Sequence, residues 1–271
     1  MIHGPPSGGP FAWGRRYRAA MSSVRSDFDD ELAIVTIDRP ERRNALDAAT
    51  AAELAAALTE AGRRARVMIV TGAGSAFCAG GDLDELARWS ELDPAEISGV
   101  LYKTFQQMVR VIRASDAVVI AAVNGPAVGA GMDLALACDL RVAGESARFG
   151  QVWVRLGVIP GTGGAWLTQA LVGPGTAAEL LLTGDLVDAA EAHRVGLVNS
   201  VVPDGELLEA ARALAGRVLR HPPAGVVANK RAYISATDLA VEAALEHAAR
   251  VQGERFTSDE FKAALRAARS K

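Results

Sequence analysis

An α/β core followed by an all-helical C-terminal region is the fold this sequence predicts, on three observations. Short apolar runs bounded by breakers alternate with Ala/Leu-rich helical stretches as far as Val202. Two turns of small residues, 77–83 and 124–131, each follow an apolar run and open into a helical pattern. From Gly205 to Lys271 helical periodicity is broken only by His221-Pro222-Pro223. The expected organisation is a flexible extension over 1–26, an α/β core over 27–202 and a helical region over 203–271.

Composition narrows the function. The 271 residues are half hydrophobic with a formal net charge of −3, which fits a soluble protein with a sizeable core. Basic residues are scattered without an aromatic-rich stripe, so no nucleic-acid partner is expected. No apolar run is long enough for a membrane span, and the N-terminus lacks the apolar segment of a secretory signal; a cytoplasmic protein is expected. The two cysteines, Cys78 and Cys138, sit in small-residue segments and read as packing groups. His3, His193, His221 and His247 show no ligand spacing, so no metal is expected.

In chain order, Gly4-Pro5-Pro6-Ser7-Gly8-Gly9-Pro10 reads as flexible, Arg15, Arg16 and Arg18 follow, and Met21 reads as an alternative start. Leu32–Ile37 is a strand ended by Arg39-Pro40, and 41–46 is a polar loop. Asp47 is placed to cap a helix through about Gly62. The strand Val67–Val70 leads into the first small-residue turn, Phe77-Cys78-Ala79-Gly80-Gly81-Asp82-Leu83. A short helix over 82–89, capped by Asp82, and an amphipathic helix over 97–112 follow. The apolar run Val118–Val123 ends in Asn124-Gly125-Pro126; the turn Val128-Gly129-Ala130-Gly131 then opens a helix at Met132, with Asp133 in its first turn. Leu140–Ala143 is a strand with Asp139 at its start, Ala147–Gln151 a further candidate, and 157–164 a breaker-rich loop before a helix over 165–171. Gly196–Val202 is the final strand, and His193 falls on a solvated helix face.

Both turns suit one chemistry. Small residues let the backbone approach a ligand, and a helix start offers unpaired N–H groups and partial positive charge to a developing anion. Two such turns can aim two N–H donors at one carbonyl oxygen.

Taken in order, these segments resemble the crotonase superfamily of enoyl-CoA hydratases and isomerases. The resemblance rests on Arg39-Pro40 with Asn44-Ala45-Leu46, on 77–83, Ala122-Val123-Asn124-Gly125 and Gly129-Ala130-Gly131-Met132-Asp133-Leu134, and on Ala137-Cys138-Asp139, Phe149-Gly150-Gln151, 156–164 and Gly196-Leu197-Val198. It implies a spiral of β-β-α turns with a C-terminal helical region that helps build homotrimers, often paired into hexamers. It implies an acyl-CoA thioester as substrate, so coenzyme A is part of the substrate and no separate cofactor is expected. The N–H groups of Ala79 and Ala130 are implied as the oxyanion hole. Arg42, Arg43, Ala45, Gly80, Gly81, Asp82, Leu83, Val128 and Trp153 are implied as contacts for CoA or the acyl group.

The sequence also departs from that pattern. Hydratases of this type use two glutamates; the first position corresponds to Asp133 and the second to Trp153, whose indole offers only an N–H donor. Dienoyl-CoA isomerases carry an aspartate at the position of Asp133 but add carboxylates at those of Trp153 and Gly161. Chlorobenzoyl-CoA dehalogenases match Trp153 and place their aspartate at Gly161, as do the ring-opening isomerases of phenylacetate breakdown. Asp133 is therefore the one acid/base the resemblance leaves. The expected activity is enolate chemistry on an acyl-CoA, as a lyase or isomerase of lipid metabolism. The alternative is an acyl-CoA-binding protein that has lost catalysis.

Overall fold

The structure, a computed structural model, describes residues 22–235 and 238–270. The Pro/Gly-rich stretch, Arg15, Arg16, Arg18, His3 and Met21 lie outside the described residues.

The chain opens with β1 (Val24–Asp29) and β2 (Leu32–Ile37), followed by α1 (Ala48–Arg64) and β3 (Val67–Gly72). Next come α2 (Leu83–Trp89), α3 (Pro94–Val100), a π-helical turn over Leu101–Phe105 and α4 (Gln106–Ala114). Then follow β4 (Val118–Val123), β5 (Ala127–Val128), α5 (Ala130–Ala137), β6 (Leu140–Gly144) and β7 (Arg148–Gly150). A 3-10 turn over Val152–Leu156 leads to α6 (Gly164–Thr183), which is kinked where Gly173, at φ +75°, precedes Pro174. The core closes with β8 (Val187–Asp188), α7 (Ala189–Arg194) and β9 (Ser200–Val202). Among the described residues only helical segments follow: α8 (Leu207–Leu219), α9 (Pro223–Ser235), α10 (Asp238–Phe256) and α11 (Asp259–Arg269), with a short 3-10 turn before α8.

One sheet, ordered β1-β2-β3-β4-β6-β9, carries the core, and β5-β7-β8 form a second, smaller one. In the large sheet every pair but β1–β2 is parallel. Parallel strands covered on both faces read as unbroken apolar runs, which is why β2 and β4 are buried throughout. Ala33, Val35, Met68, Val70, Val119 and Ala121 face the main core with Leu54 and Leu58 of α1. Their neighbours Leu32, Ile34, Val67, Ile69, Val118 and Ile120 face Leu207, Ala211 and Ala215 of α8.

β1 corrects the sequence reading, which puts residues 24–26 in a flexible extension. Val24 pairs with Ile37 and is buried; Ser26 and Phe28 share its inward face while Arg25, Asp27 and Asp29 point out. That period-two alternation is a half-buried edge strand, and the interleaved charges hide it.

The C-terminal helices pack onto the same chain. α10 lies along α3, and α11 against α2 and the 152–156 turn. Trp89 meets Phe105 and Phe256 edge-on, and Phe256 meets Phe261 likewise, with centroids 4.8–5.4 Å apart. Arg255 Nε donates to the Gly157 carbonyl at 2.7 Å, tying α10 to the breaker-rich loop.

Candidate active site

Two asparagines position the first turn. Asn44, buried at φ +59°, accepts from Arg39 N and donates to the carbonyls of Ala73 and Ala76 at 2.9 and 2.7 Å. Asn124 accepts from Gly72 N at 3.1 Å and donates to the Gly74 carbonyl at 2.9 Å. The loop after β3 is thus pinned from both sides before the chain reaches Phe77.

Backbone bonds then join the two turns. Cys78 N donates to Pro126 O, and Val128 N donates to Cys78 O, both at 3.1 Å. A Cβ on Gly131 would stand 2.1 Å from the Cys78 carbonyl, so only glycine allows this approach. On the other edge, Leu46 N donates to Gly80 O at 2.7 Å and Asp82 N donates to Leu46 O at 2.8 Å.

This pairing corrects one predicted donor. The Ala79 N–H is occupied by the Arg43 carbonyl at 3.0 Å and faces the Leu46 side. Gly81 lies between two groups turned toward Leu46, so its own N–H points the opposite way. On that side stands the second turn: a Cβ on Gly80 (φ +94°) would be 2.8 Å from Val128 O and 3.6 Å from Ala130 N. The N–H groups of Gly81 and Ala130 donate to no group among the described residues. Ala130 is the first residue of α5, after Gly129 at φ +54°, so its N–H carries the positive end of that helix.

Asp133 is the fourth residue of α5 and is fully buried. Its Oδ1 accepts from Gln151 Nε2 at 2.8 Å, and its Oδ2 accepts from the Thr162 hydroxyl in a short contact. Burial pushes its pKa up to about 6 against the pull of those two donors. Gly164 makes room for the carboxylate: a Cβ there would fall 1.8 Å from Oδ1. Both thiols, Cys78 and Cys138, are pushed up to about 12 by burial, which makes them inert packing groups.

Trp153 is buried, with its indole 3.2–3.5 Å from where a Cβ on Gly129 would stand, beside the second turn. Gly161, where other branches place an aspartate, has its side-chain space occupied from elsewhere. Gln252 Oε1, from α10, lies 1.2 Å from where a Cβ on Gly161 would stand.

The predicted CoA contacts spread over the rim of the first turn. Arg42 is exposed and pairs with Asp84 at 3.1 Å; Arg43, at φ +51°, is exposed and lends its carbonyl to Ala79. The Ala45 carbonyl accepts from Arg39 Nη1 at 2.6 Å. Asp82 caps α2, accepting from Asp84 N at 3.0 Å, and lies 3.5 Å from Arg39; Leu83 beside it is exposed. Arg269 of α11 joins this rim through Asp84 at 2.7 Å, a long-range contact with no local sequence signal. Asp139 anchors the start of β4, accepting from Val119 N, and pairs with buried Lys230 at 2.7 Å. His193 is exposed on α7. Among the described residues no helix is long and apolar enough to cross a membrane.

The sequence profile described as enoyl-CoA hydratase/isomerase matches residues 27–270. The chain belongs to that family, within the crotonase superfamily. It is 38% identical over 245 residues to a probable enoyl-CoA hydratase of Rhodobacter capsulatus, covering 90% of this chain and 94% of the relative. It is 41% identical over 203 residues to a crotonyl-CoA hydratase of Syntrophomonas wolfei, covering 74% and 76%. The crystal structure of an enoyl-CoA hydratase from Bacillus halodurans superposes with a TM-score of 0.85 at 26% identity, over 91% of this chain and all of the other. This is the crotonase fold and an enzyme family acting on acyl-CoA thioesters.

Proposed function

We propose that the protein forms and reprotonates a thioester enolate, with Asp133 as its single proton carrier. The N–H groups of Gly81 and Ala130 receive the thioester oxygen, where charge accumulates as the enolate forms. A fixed donor of this kind lowers a barrier by about 3–4 kcal/mol. The observation that carries the reading is the neutrality of the groups around Asp133, whose side-chain partners are Gln151 and Thr162. The second acid/base position of a hydratase is Trp153 here, facing Gly129.

One carboxylate suffices for double-bond migration. Asp133 removes a proton from the α carbon of a 3-enoyl thioester, or from the γ carbon of a 2-enoyl thioester, breaking the C–H bond. The electron pair moves onto the thioester oxygen through the conjugated system that forms. Asp133 then returns the same proton at the other carbon, and the oxygen gives back the charge. A carboxyl near pH 6 is matched to giving and taking a proton at neutral pH. The names of the relatives support an enoyl-CoA as the substrate class. Assembly into a trimer or hexamer belongs to the same reading and is checked by light scattering.

A panel of 2-enoyl-, 3-enoyl- and dienoyl-CoA thioesters tests it. Interconversion of 2- and 3-enoyl-CoA faster than release of 3-hydroxyacyl-CoA supports the single-carboxylate reading. Rapid hydration without isomerisation means that another group near Asp133 activates water. Tight binding with no turnover of any member makes the protein an acyl-CoA carrier.

A further inference from the structure

Among the described residues, the buried side-chain polar atoms without a hydrogen-bond partner belong to three residues: Gln151 Oε1, Trp153 Nε1, and both Nε2 and Oε1 of Gln252. Proteins rarely leave such atoms unpaired, because each forfeits its hydration without return. All three residues adjoin the immediate surroundings of Asp133. Gln151 bonds the carboxylate itself, Trp153 faces the turn that precedes Ala130, and Gln252 lies against Gly161, one residue before Thr162.

Gln252 is the most telling of the three. It is 1% exposed, and its whole carboxamide is unpaired. A second glutamine at the same glycine shows the contrast. Gln106 Nε2 donates to the carbonyls of Gly161 and Leu245, both at 2.7 Å, and its Oε1 accepts from Arg110 at 3.2 Å. Gln106 has the saturated bonding of a structural amide. Gln252 fills the space a side chain at 161 would take, yet leaves one donor and one acceptor face open.

We propose that the Gln252 carboxamide is a positioning group for a neutral oxygen that comes in beside the acyl chain. It offers N–H to the oxygen's lone pair and C=O to its proton, which suits a group that both donates and accepts. A carboxylate would meet Oε1 and Asp133 as like partners. The ligand chemistry is therefore O–H, supplied either by a hydroxyl on the acyl group or by water. If water, its oxygen bonds to the β carbon while its proton passes to Asp133. The double-bond electrons move to the thioester oxygen, and Asp133 then protonates the α carbon. This inference rests on the proposed placement of the acyl group next to Asp133.

Calorimetric binding of butyryl-CoA and 3-hydroxybutyryl-CoA tests the hydroxyl source, in full-length protein carrying Asp133→Asn so that nothing turns over. With Gln252 present, the hydroxy thioester binds about tenfold tighter; with Gln252→Leu added, the two bind within twofold and butyryl-CoA affinity is unchanged. The water source is tested without the Asp133 change: Gln252→Leu lowers crotonyl-CoA hydration at least tenfold and leaves 2-/3-enoyl isomerisation within twofold. A response in either arm supports the proposal and names the source; no response in both overturns it. Gln252→Met, which keeps the side-chain length, replaces Gln252→Leu if the latter does not fold. Failure of the acyl-CoA reading shows differently, as unaltered protein that binds butyryl-CoA no better than free CoA.

Discussion

Replacing Asp133 by asparagine should make the protein more stable and nearly inactive. Burial raises the Asp133 pKa to about 6 from an ordinary value of 3.8. The folded state therefore holds a proton that the unfolded chain gives up between those values. The sign follows from linkage: stabilisation from the neutral carboxyl is complete below about pH 4 and is lost as pH rises through about 6. A gap of about 2 between the two pKa values corresponds to about 3 kcal/mol at pH 8. The carboxamide that replaces the carboxyl cannot ionise. Its oxygen can accept from Gln151, and its NH2 can donate to Thr162, whose hydroxyl turns to accept. The variant should match the parent near pH 4 and exceed it by about 3 kcal/mol at pH 8. In a chain of this size that is a rise in melting temperature of about 6–12 °C. Turnover should fall by about 10²–10⁴, the usual contribution of a positioned acid/base. Thermal melts at both pH values, with enoyl-CoA turnover alongside, decide it. An equal loss of stability at both pH values would refute the buried-carboxyl argument, and full activity would refute the role of Asp133.

Three further outcomes follow from the geometry. An amide-to-ester change at Gly81, made with glycolic acid, removes a donor turned toward the Val128–Ala130 side and should lower kcat by about 10²–10³. The same change at Ala79, made with lactic acid, should cost about 1 kcal/mol of stability with kcat nearly unchanged; the reverse ranking restores Ala79 as the oxyanion donor. Lys230→Met strands Asp139 without its buried cation and should destabilise by about 3–5 kcal/mol in urea unfolding, with kcat unaffected, since neither residue bonds to Asp133, Gly81 or Ala130.

The sequence makes the α/β core plain because strands buried on both faces are continuous apolar runs, as in Val118–Val123. It conceals β1, where charged residues occupy every second position of an edge strand. Asp133 is legible from its place in the first turn after a small-residue loop. The oxyanion donor is legible only to the nearest turn. Which N–H in 79–81 points inward depends on pairing with Leu46, a residue far back in the chain, and period alone does not reveal it. Gln252 and Arg269 are invisible beforehand for a related reason. Each sits in a helical stretch that reads like any solvated amphipathic segment, and only docking of α10 and α11 brings them to Gly161 and Asp84.

That docking imposes an order on biosynthesis. A nascent polypeptide emerges from the ribosome with both glycine-rich corners and the aspartate long before α10 exists. Until the helix carrying Gln252 and Phe256 arrives, the apolar surface around Trp89 that it covers stands open to chaperones and to other unfinished chains.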